Sequence, residues 1–348
     1  MKKVLFAMAT FFGCAISSVA QTSFIATLQH ADEFTHYYGA GALQSAYNAA
    51  ETGDIITLSP GTFTFSGGFD KAITLRGAGV ESIDKTYISS SITFLSSDET
   101  KITTVEGIKF SAKTYIQNNS GESQGTIKFI KNTFNEIEAT KAGTSSTVKG
   151  PAVRFYNCAI YANLFFNSQT FPDFLLYNCY VENPSSDNSS ETTTALVNCV
   201  IRWSIYNIAQ YAKYLNFYNC IFNWTYSSYA GDNVSYLLPN TATCYNCLSI
   251  NKSKLFNNLV SGGNNQTVSS ASDVFKTYRT NQNEGETFEL TDAAKAAYIG
   301  TDGKEIGVQG GNYPYTTTVQ YPVITTFNSE SQTTKEGILS VEVKVDGK

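Results

Sequence analysis

Charged side chains that could carry acid–base chemistry are few in this sequence. Charged residues make up 15% of the 348 residues, and only eight lie between positions 150 and 250. Glu182 and Arg202 are the candidate catalytic pair, because each follows an Asn-Cys dipeptide at the same distance. Lys213 or Arg154 could assist as a base or a clamp, with an acidic sugar over Arg202 and stacked on Trp203. The alternative is an ion pair at the surface, which contributes ~0–1 kcal/mol.

The same scarcity of charge argues against a metal centre. Eight charges in that stretch do not easily supply both a carboxylate cage for Ca²⁺ and a separate base, so no cofactor is expected, although Ca²⁺ stays an open alternative. The two histidines, His30 and His36, lie far from Cys244 and Cys247 in the sequence. A zinc site is therefore not expected.

Aromatic side chains form a second set of candidates, for binding a ligand. Four tyrosines each stand directly before an Asn-Cys dipeptide, and two tryptophans each stand five residues after the Asn of one. Flat rings repeated at a regular rise could stack on the faces of pyranose rings. Alternatively, the rings cover a strand surface, which their β-propensity favours, or form a protein interface. The candidate binding residues are Tyr156, Tyr177, Tyr218, Tyr245, Trp203 and Trp224.

The Asn-Cys dipeptides define a repeat that must position these side chains. They begin at residues 157, 178, 198, 219 and 246, and apolar residues alternate with polar ones before each of them. A fixed period with alternation inside each copy is typical of a solenoid of strands. Residues two and four places before the Asn should point inward, and the tyrosine immediately before it should point outward.

The asparagines of the repeat are predicted to form a bend between two strands, because Asn and Gly tolerate left-handed backbone angles. Gly107 and Asn132 are assigned to the same column, and the side chains are expected to bond one another as a ladder. The cysteines that follow should be buried thiols, since residues stacked in register project in parallel and suit a disulfide poorly. The ladder residues are Asn132, Asn157, Asn178, Asn198, Asn219 and Asn246.

The chain divides into four predicted regions. Residues 1–20 resemble a bacterial secretory signal, with lipidation of Cys14 as the alternative, and no other segment is long and apolar enough to span a bilayer. Residues 21–54 form a cap with a helix at 42–51, and residues 55–312 form the solenoid. Residues 313–348 are a tail whose alternating residues 339–345 read as a lone strand seeking an edge on its own solenoid or on a partner.

Three features together resemble a known family. They are the helix leading into Gly53-Asp54-Ile55-Ile56 and Pro60-Gly61-Thr62-Phe63, the asparagine ladder, and the closing Phe288-Glu289-Leu290 with Asp302-Gly303-Lys304-Glu305-Ile306-Gly307. Over roughly residues 40 to 311 the chain resembles the secreted bacterial right-handed parallel β-helix proteins of the pectin-lyase-like superfamily.

The resemblance implies a carbohydrate-related role without choosing a reaction, because members include polysaccharide lyases, hydrolases, esterases, adhesins and phage tailspikes. No histidine follows His36 and no Asp-Asp pair occurs. Catalytic residues of the family therefore cannot be transferred to positions of this sequence.

These observations predict an all-β protein, a right-handed parallel β-helix of about 10–12 coils with a short capping helix and a β tail. Its predicted function is that of a secreted or cell-surface protein that binds glycan or acts as an adhesive or structural protein without catalysis. The alternative is a polysaccharide lyase or glycoside hydrolase acting on an acidic polysaccharide. A polysaccharide or cell-envelope component is the expected partner, with a protein partner possible through the C-terminal strand. The net charge of −5 argues against nucleic acid.

Overall fold

The computed structural model describes a parallel β-solenoid. It covers residues 24–81, 85–95, 101–118, 125–140, 150–166, 170–171, 173–186, 194–203, 214–224, 238–277, 286–319, 323–329 and 341–346. The predicted signal peptide and Cys14 lie outside these residues. The predicted all-β parallel solenoid is confirmed, because two long sheets run along the chain and neighbouring strands in each are parallel, apart from the first two strands of sheet 1.

Sheet 1 carries the inward and outward alternation that the repeat predicts. Its strands are β1 (Ile25–His30), β2 (Glu33–Tyr38), β3 (Ile55–Leu58), β6 (Thr74–Arg76), β9 (Ile102–Glu106), β11 (Thr126–Ile130), β13 (Ala152–Tyr156), β16 (Phe174–Tyr177), β19 (Ala195–Val197), β21 (Asn216–Tyr218), β23 (Thr243–Tyr245) and β25 (Ser261–Gly263). They lie in the order β2-β1-β3-β6-β9-β11-β13-β16-β19-β21-β23-β25. All are parallel from β3 to β25.

Sheet 2 forms a second side of the solenoid. Its main path contains β4 (Gly61–Phe63), β7 (Thr86–Ile88), β10 (Lys109–Gln117), β12 (Thr133–Thr140), β14 (Ala159–Ile160), β17 (Tyr180–Glu182), β20 (Val200–Trp203), β22 (Ile221–Trp224), β24 (Leu248–Ile250) and β26 (Gln266–Val268). Four further strands pair beside the longer members β10 and β12 or with one another: β5 (Gly68–Phe69), β8 (Ile92–Leu95), β15 (Leu164–Phe166) and β18 (Pro184–Ser186).

Stacked apolar columns fill the interior between the sheets. The rings of Phe129 and Phe155 lie 4.9 Å apart at an interplanar angle of 18°, and those of Phe110 and Phe134 lie 4.9 Å apart at 2°. Such columns follow from the parallel register, because each inward side chain lies one strand spacing from its equivalent in the next coil. Stability is then a sum of contacts between neighbouring coils.

The cysteines lie in this interior as the sequence predicts. The six described cysteines are buried and unpaired by disulfides: Cys158, Cys179, Cys199, Cys220, Cys244 and Cys247. The backbone N–H of Cys158 approaches the sulfur of Cys179 at 3.4 Å, so consecutive thiols form a column. Burial raises the pKa of the Cys179 and Cys220 thiols well above the ordinary range. The prediction of buried thiols is confirmed.

The N-terminal end of the solenoid is closed by more than the predicted helix. Helix α1 (Ala42–Ala49) is confirmed and buries Leu43, Ala46 and Tyr47 against the first coil. Strands β1 and β2 form an antiparallel hairpin that continues sheet 1 beyond β3. The sequence carries no turn signal for this hairpin, because the turn, at Ala31 with φ 50°, contains neither Gly nor Asn.

The residue at the bend between the two sheets has a left-handed backbone conformation, as predicted, at five of the six predicted ladder positions. Asn157, Asn178, Asn198 and Asn219 have φ between 52° and 54°, and Asn246 has φ 50°. The assignment of Asn132 to this column is wrong. Ile130 pairs with Tyr156, so the bend position before Asn157 is Lys131, which has φ 53°. Lys131 and the five asparagines at the bends are here called the bend column. Asn132 lies one place later, where its side chain accepts from Ile108 N and donates to Val105 O.

The C-terminal third also differs from the prediction. Among the described residues, the last parallel strands are β25 and β26, so the described stack of coils ends near residue 268 rather than 312. Residues 271–277 and 286–319, here called the covering segment, contain a short 3₁₀ helix (Ala271–Asp273) and α2 (Asp292–Ala297). In the tail, β27 (Val323–Ser329) pairs antiparallel with β28 (Val341–Asp346). The predicted lone strand is therefore one half of a hairpin.

Candidate ligand-binding face

The outer face of sheet 1 carries the predicted tyrosine column. Tyr156 pairs with Tyr177, Tyr177 with Val197, Val197 with Tyr218, and Tyr218 with Tyr245. These five residues are here called the tyrosine column. The flanking residues of each strand are buried in the interior, so alternation directs the column outward. Tyr245 is the most exposed of the five, at 39%.

The tyrosine rings stack on one another along the solenoid. The rings of Tyr156 and Tyr177 lie 5.4 Å apart at 8°, and those of Tyr218 and Tyr245 lie 5.8 Å apart at 8°. Each ring therefore uses one face on its neighbour and presents its edge and hydroxyl outward. Tyr177 and Tyr218 each turn a second face toward Val197, a different arrangement from the predicted row of open faces.

The covering segment reaches the edge of this face. Tyr313 packs its ring against Tyr156 at 6.2 Å and 67°. Burial, followed by the proximity of Tyr177, raises the pKa of Tyr156 above the ordinary value. Tyr313 lies outside the repeat, so the periodicity of the sequence does not predict this contact.

The bend column holds the covering segment in place. The side-chain amide of Asn178 donates to Val308 O at 2.9 Å and to Gly310 O at 2.7 Å. Asn219 accepts from Thr301 N at 3.1 Å. Lys131 donates to Thr318 O at 2.7 Å. Where a ladder of asparagine-to-asparagine bonds is predicted, the amides of Asn178 and Asn219 thus bond a segment that runs along the column.

Arg154 lies next to the tyrosine column, on the same outer face. Its guanidinium forms an ion pair with Asp173, and it also donates to Asp173 O at 3.2 Å. Arg154 is thus held against sheet 1, whereas Glu182 and Arg202 lie on β17 and β20 of sheet 2.

Glu182 and Arg202 are register partners, as the repeat predicts. Their Oε1 and Nη1 atoms are 3.5 Å apart, and the two side chains are 12% and 14% exposed. The Tyr180 hydroxyl donates to Glu182 Oε2 at 3.4 Å. Burial and then the Glu182 carboxylate raise the pKa of Tyr180. The pair is largely buried, unlike the exposed pair of the alternative interpretation.

The three described candidate catalytic residues are therefore not all brought together. Arg154 belongs to sheet 1 and the Glu182–Arg202 pair to sheet 2, while Lys213 lies outside the described residues. Trp203 and Trp224 are register partners on β20 and β22, but their side chains lie outside the described part of the chain. Among the described residues, no group of three His, Cys, Asp or Glu side chains could hold a metal ion.

The outer face of sheet 2 is covered by a second apolar cluster. The ring of Phe288 stacks on Tyr180 at 5.0 Å and 12°. The strand residues of the cluster are Ala159, Tyr180, Val200, Ile221, Leu248 and Ile250, and the covering residues include Phe275, Phe288, Leu290, Ile306, Val308 and Tyr315. A signal for this layer exists in the sequence, because sheet 2 strands such as Val200-Ile201 are apolar on both faces. Strands of that kind are typically covered on both sides.

Comparison with protein-family models, with curated proteins and with solved structures gives no match for this chain. Within the part of the chain that the structure describes, no helix is long and apolar enough to cross a membrane.

Proposed function

We propose that this protein is a secreted or cell-surface parallel β-helix, of the pectin-lyase-like kind, that binds glycan without cleaving it. The observation that carries the proposal is the unequal use of the two sheets. Apolar residues of the covering segment pack over sheet 2, whereas sheet 1 keeps a column of outward tyrosines.

The chemistry of the sheet 1 face suits a neutral polymer of sugars. The tyrosine edges offer hydroxyl groups in a row. Tyr177, Tyr218 and Tyr245 each have one face on which no described ring stacks. Sugar rings combine hydroxyl groups with apolar C–H faces, so they can use both features. The nearby charges of Arg154 and Asp173 already neutralise each other.

The β27–β28 hairpin supplies a candidate tether to a cell-envelope component or to a protein. It follows the covering segment, which the bend column holds to the solenoid through Asn178, Asn219 and Lys131. A strand pair at the end of a chain can accept a further strand from a partner along a free edge.

A polysaccharide lyase or hydrolase is the second candidate, because Glu182, Arg202 and the Tyr180 hydroxyl lie together on sheet 2. Hydrolysis of a glycosidic bond ordinarily needs two carboxyl groups about 5–10 Å apart. Ion pairing with Arg202 occupies the Glu182 carboxylate, which argues for a structural role.

One panel of neutral and acidic polysaccharides tests both candidates. The purified protein is assayed for retention on each polysaccharide and for release of reducing ends. Retention without release is expected, and Tyr245→Ala should weaken it, whereas Tyr38→Ala on strand β2 should not. Release of reducing ends that disappears in a folded Arg202→Gln variant would overturn the proposal and favour the enzyme. Retention on none of the glycans would also overturn it.

A further inference from the structure

The tyrosine column contains a gap where one ring is missing. Val197 takes the position between Tyr177 and Tyr218, while each of these rings stacks on a second tyrosine on its other side. The column therefore consists of two stacked pairs separated by a small aliphatic side chain. One face of Tyr177 and one face of Tyr218 are turned toward this gap.

The height of the gap follows from the spacing of the strands. Neighbouring strands are about 4.8 Å apart, so Tyr177 and Tyr218 originate about 10 Å apart along the solenoid. Rings at centroid distances of 5.4 and 5.8 Å with an interplanar angle of 8° must be tilted and offset. Planes in contact lie about 3.5–4 Å apart, so one omitted ring leaves about 7–8 Å between the two tyrosine planes. That space accepts one flat ring in contact with both.

Among the residues that the structure describes, small side chains flank the gap. Val197 forms its floor, and the neighbouring outward position on the same strand is Ala195, which is flanked in its column by Leu175 and Asn216. The Ala195 side chain is small, so it extends little beyond the sheet on that side of the gap. On the opposite flank, Asn198 turns the chain away and is covered by Gly311, whose missing Cβ would lie 2.1 Å from the Asn198 amide.

We propose that the gap at Val197 is a subsite for one pyranose ring whose hydroxyl groups are all equatorial, as in β-linked glucose. This inference rests on the proposed glycan-binding function. Such a ring presents C–H bonds on both faces, and these are attracted to the electron-rich faces of Tyr177 and Tyr218. Its hydroxyl groups lie around the rim, where water and the tyrosine hydroxyls can bond them.

The same geometry predicts discrimination among sugars. An axial hydroxyl, as in mannose, points out of one face of the ring and would be pressed against a tyrosine. There it would lose its hydrogen bonds with water and gain none, which disfavours binding. The gap should therefore select against β-linked mannose, although mannose and glucose differ in only one configuration.

The test fills the gap with the missing ring. Val197→Tyr completes the stack without removing any aromatic residue, and Ile130→Tyr adds the same side chain next to Tyr156, outside the gap. Titration calorimetry with cellotetraose, a β-1,4-linked glucose tetramer, should show affinity reduced about tenfold or more in Val197→Tyr and unchanged in Ile130→Tyr. Mannotetraose should bind the wild type about tenfold more weakly than cellotetraose. Thermal melts confirm that both variants fold.

The outcomes separate the subsite from the proposed function. If cellotetraose binds the wild type and Val197→Tyr equally well, the subsite is wrong while glycan binding by this face stands. Equal affinity for mannotetraose would likewise contradict the subsite. If no glycan binds the wild type, the proposed function itself fails.

Discussion

At the scale of single residues, the asparagines of the bend column combine two roles. Each adopts a left-handed backbone conformation, which costs most other side chains about 1–2 kcal/mol, and Asn178 and Asn219 bond the covering segment through their amides. Both roles follow from one property, a short polar side chain that tolerates positive φ. The tyrosine that precedes an asparagine has no backbone constraint of this kind.

Replacement of Asn198 by Ala should therefore destabilise the protein more than replacement of Tyr177 by Ala. Asn198 has φ 52° and is buried, so the substitution introduces about 1–2 kcal/mol of backbone strain, and its contact with Gly311 is also lost. Tyr177→Ala removes one stacked pair, worth about 0.5–1.5 kcal/mol beyond the area that it buries. Urea unfolding of both variants compares the losses, and a larger loss for Tyr177→Ala would contradict this assignment of roles.

Single residues also mark the limit of prediction from sequence. The repeated Asn-Cys dipeptide predicts the register of the strands that carry it. Ile130-Lys131-Asn132 lacks this dipeptide, and Asn132, one place after the bend, resembles the bend asparagines in sequence although Lys131 takes the bend position. Lysine is not a residue that favours a positive φ, so its type does not predict the bend at Lys131, where φ is 53°. The hydrogen bond from Lys131 to Thr318 O is seen only in the structure.

At the scale of elements, the N-terminal hairpin and α1 cover the first coil of the solenoid. His30 of β1 bonds Asp54, which precedes β3, at 2.8 Å. The hydrogen bond to Asp54 raises the pKa of His30 above 6.5, and Glu51 and Glu33 add to this effect. The cap therefore contacts the solenoid through the His30–Asp54 pair, and the strength of this pair depends on pH.

The contribution of this pair should disappear as pH rises. Because the folded pKa of His30 is raised, the stabilisation is complete below about pH 6.5, the unfolded value, and is lost as pH rises through the folded pKa. The difference in melting temperature between the wild type and His30→Gln should be largest near pH 5 and smallest near pH 9. His36→Gln controls for the loss of an imidazole, since His36 contacts the neutral hydroxyl of Thr27. A difference that widens with rising pH would contradict the pairing.

The covering segment should contribute directly to stability. Phe288 is 4% exposed and stacks on Tyr180, so Phe288→Ala should cost about 3–5 kcal/mol. Phe34→Ala is the matched control, because Phe34 on β2 is 60% exposed and should lose little. Denaturant unfolding measures both variants. Equal small losses would mean that the segment lies on sheet 2 without stabilising it.

The covering layer shows what sequence analysis could not supply. The repeat predicts contacts between neighbouring coils, which are 20 to 30 residues apart in the chain. Contacts such as Asn178 with Gly310 or Lys131 with Thr318 join residues that are 132 and 187 positions apart. No periodic pattern encodes these contacts, so the sequence repeat alone predicts further coils where the covering segment lies.

At the scale of the whole molecule, the solenoid is asymmetric in the use of its faces. From β14 to β24, sheet 2 lies between the interior and the covering segment, whereas sheet 1 has the interior on one side and the tyrosine column on the other. A solenoid of parallel strands repeats the same outward position at every coil. Its open face is therefore suited to a ligand that repeats as well, which connects the architecture to a polymer of sugars.

Radical footprinting of tyrosines, with and without a polysaccharide that the protein retains, tests this account most directly. Bound glycan should protect Tyr177, Tyr218 and Tyr245 from oxidation and leave Tyr38, which is 67% exposed on β2, unchanged. Mass spectrometry of the digested protein reads each site. Unchanged oxidation of all three sheet 1 tyrosines, with protection elsewhere on the molecule, would contradict the claim that the tyrosine column is the binding face.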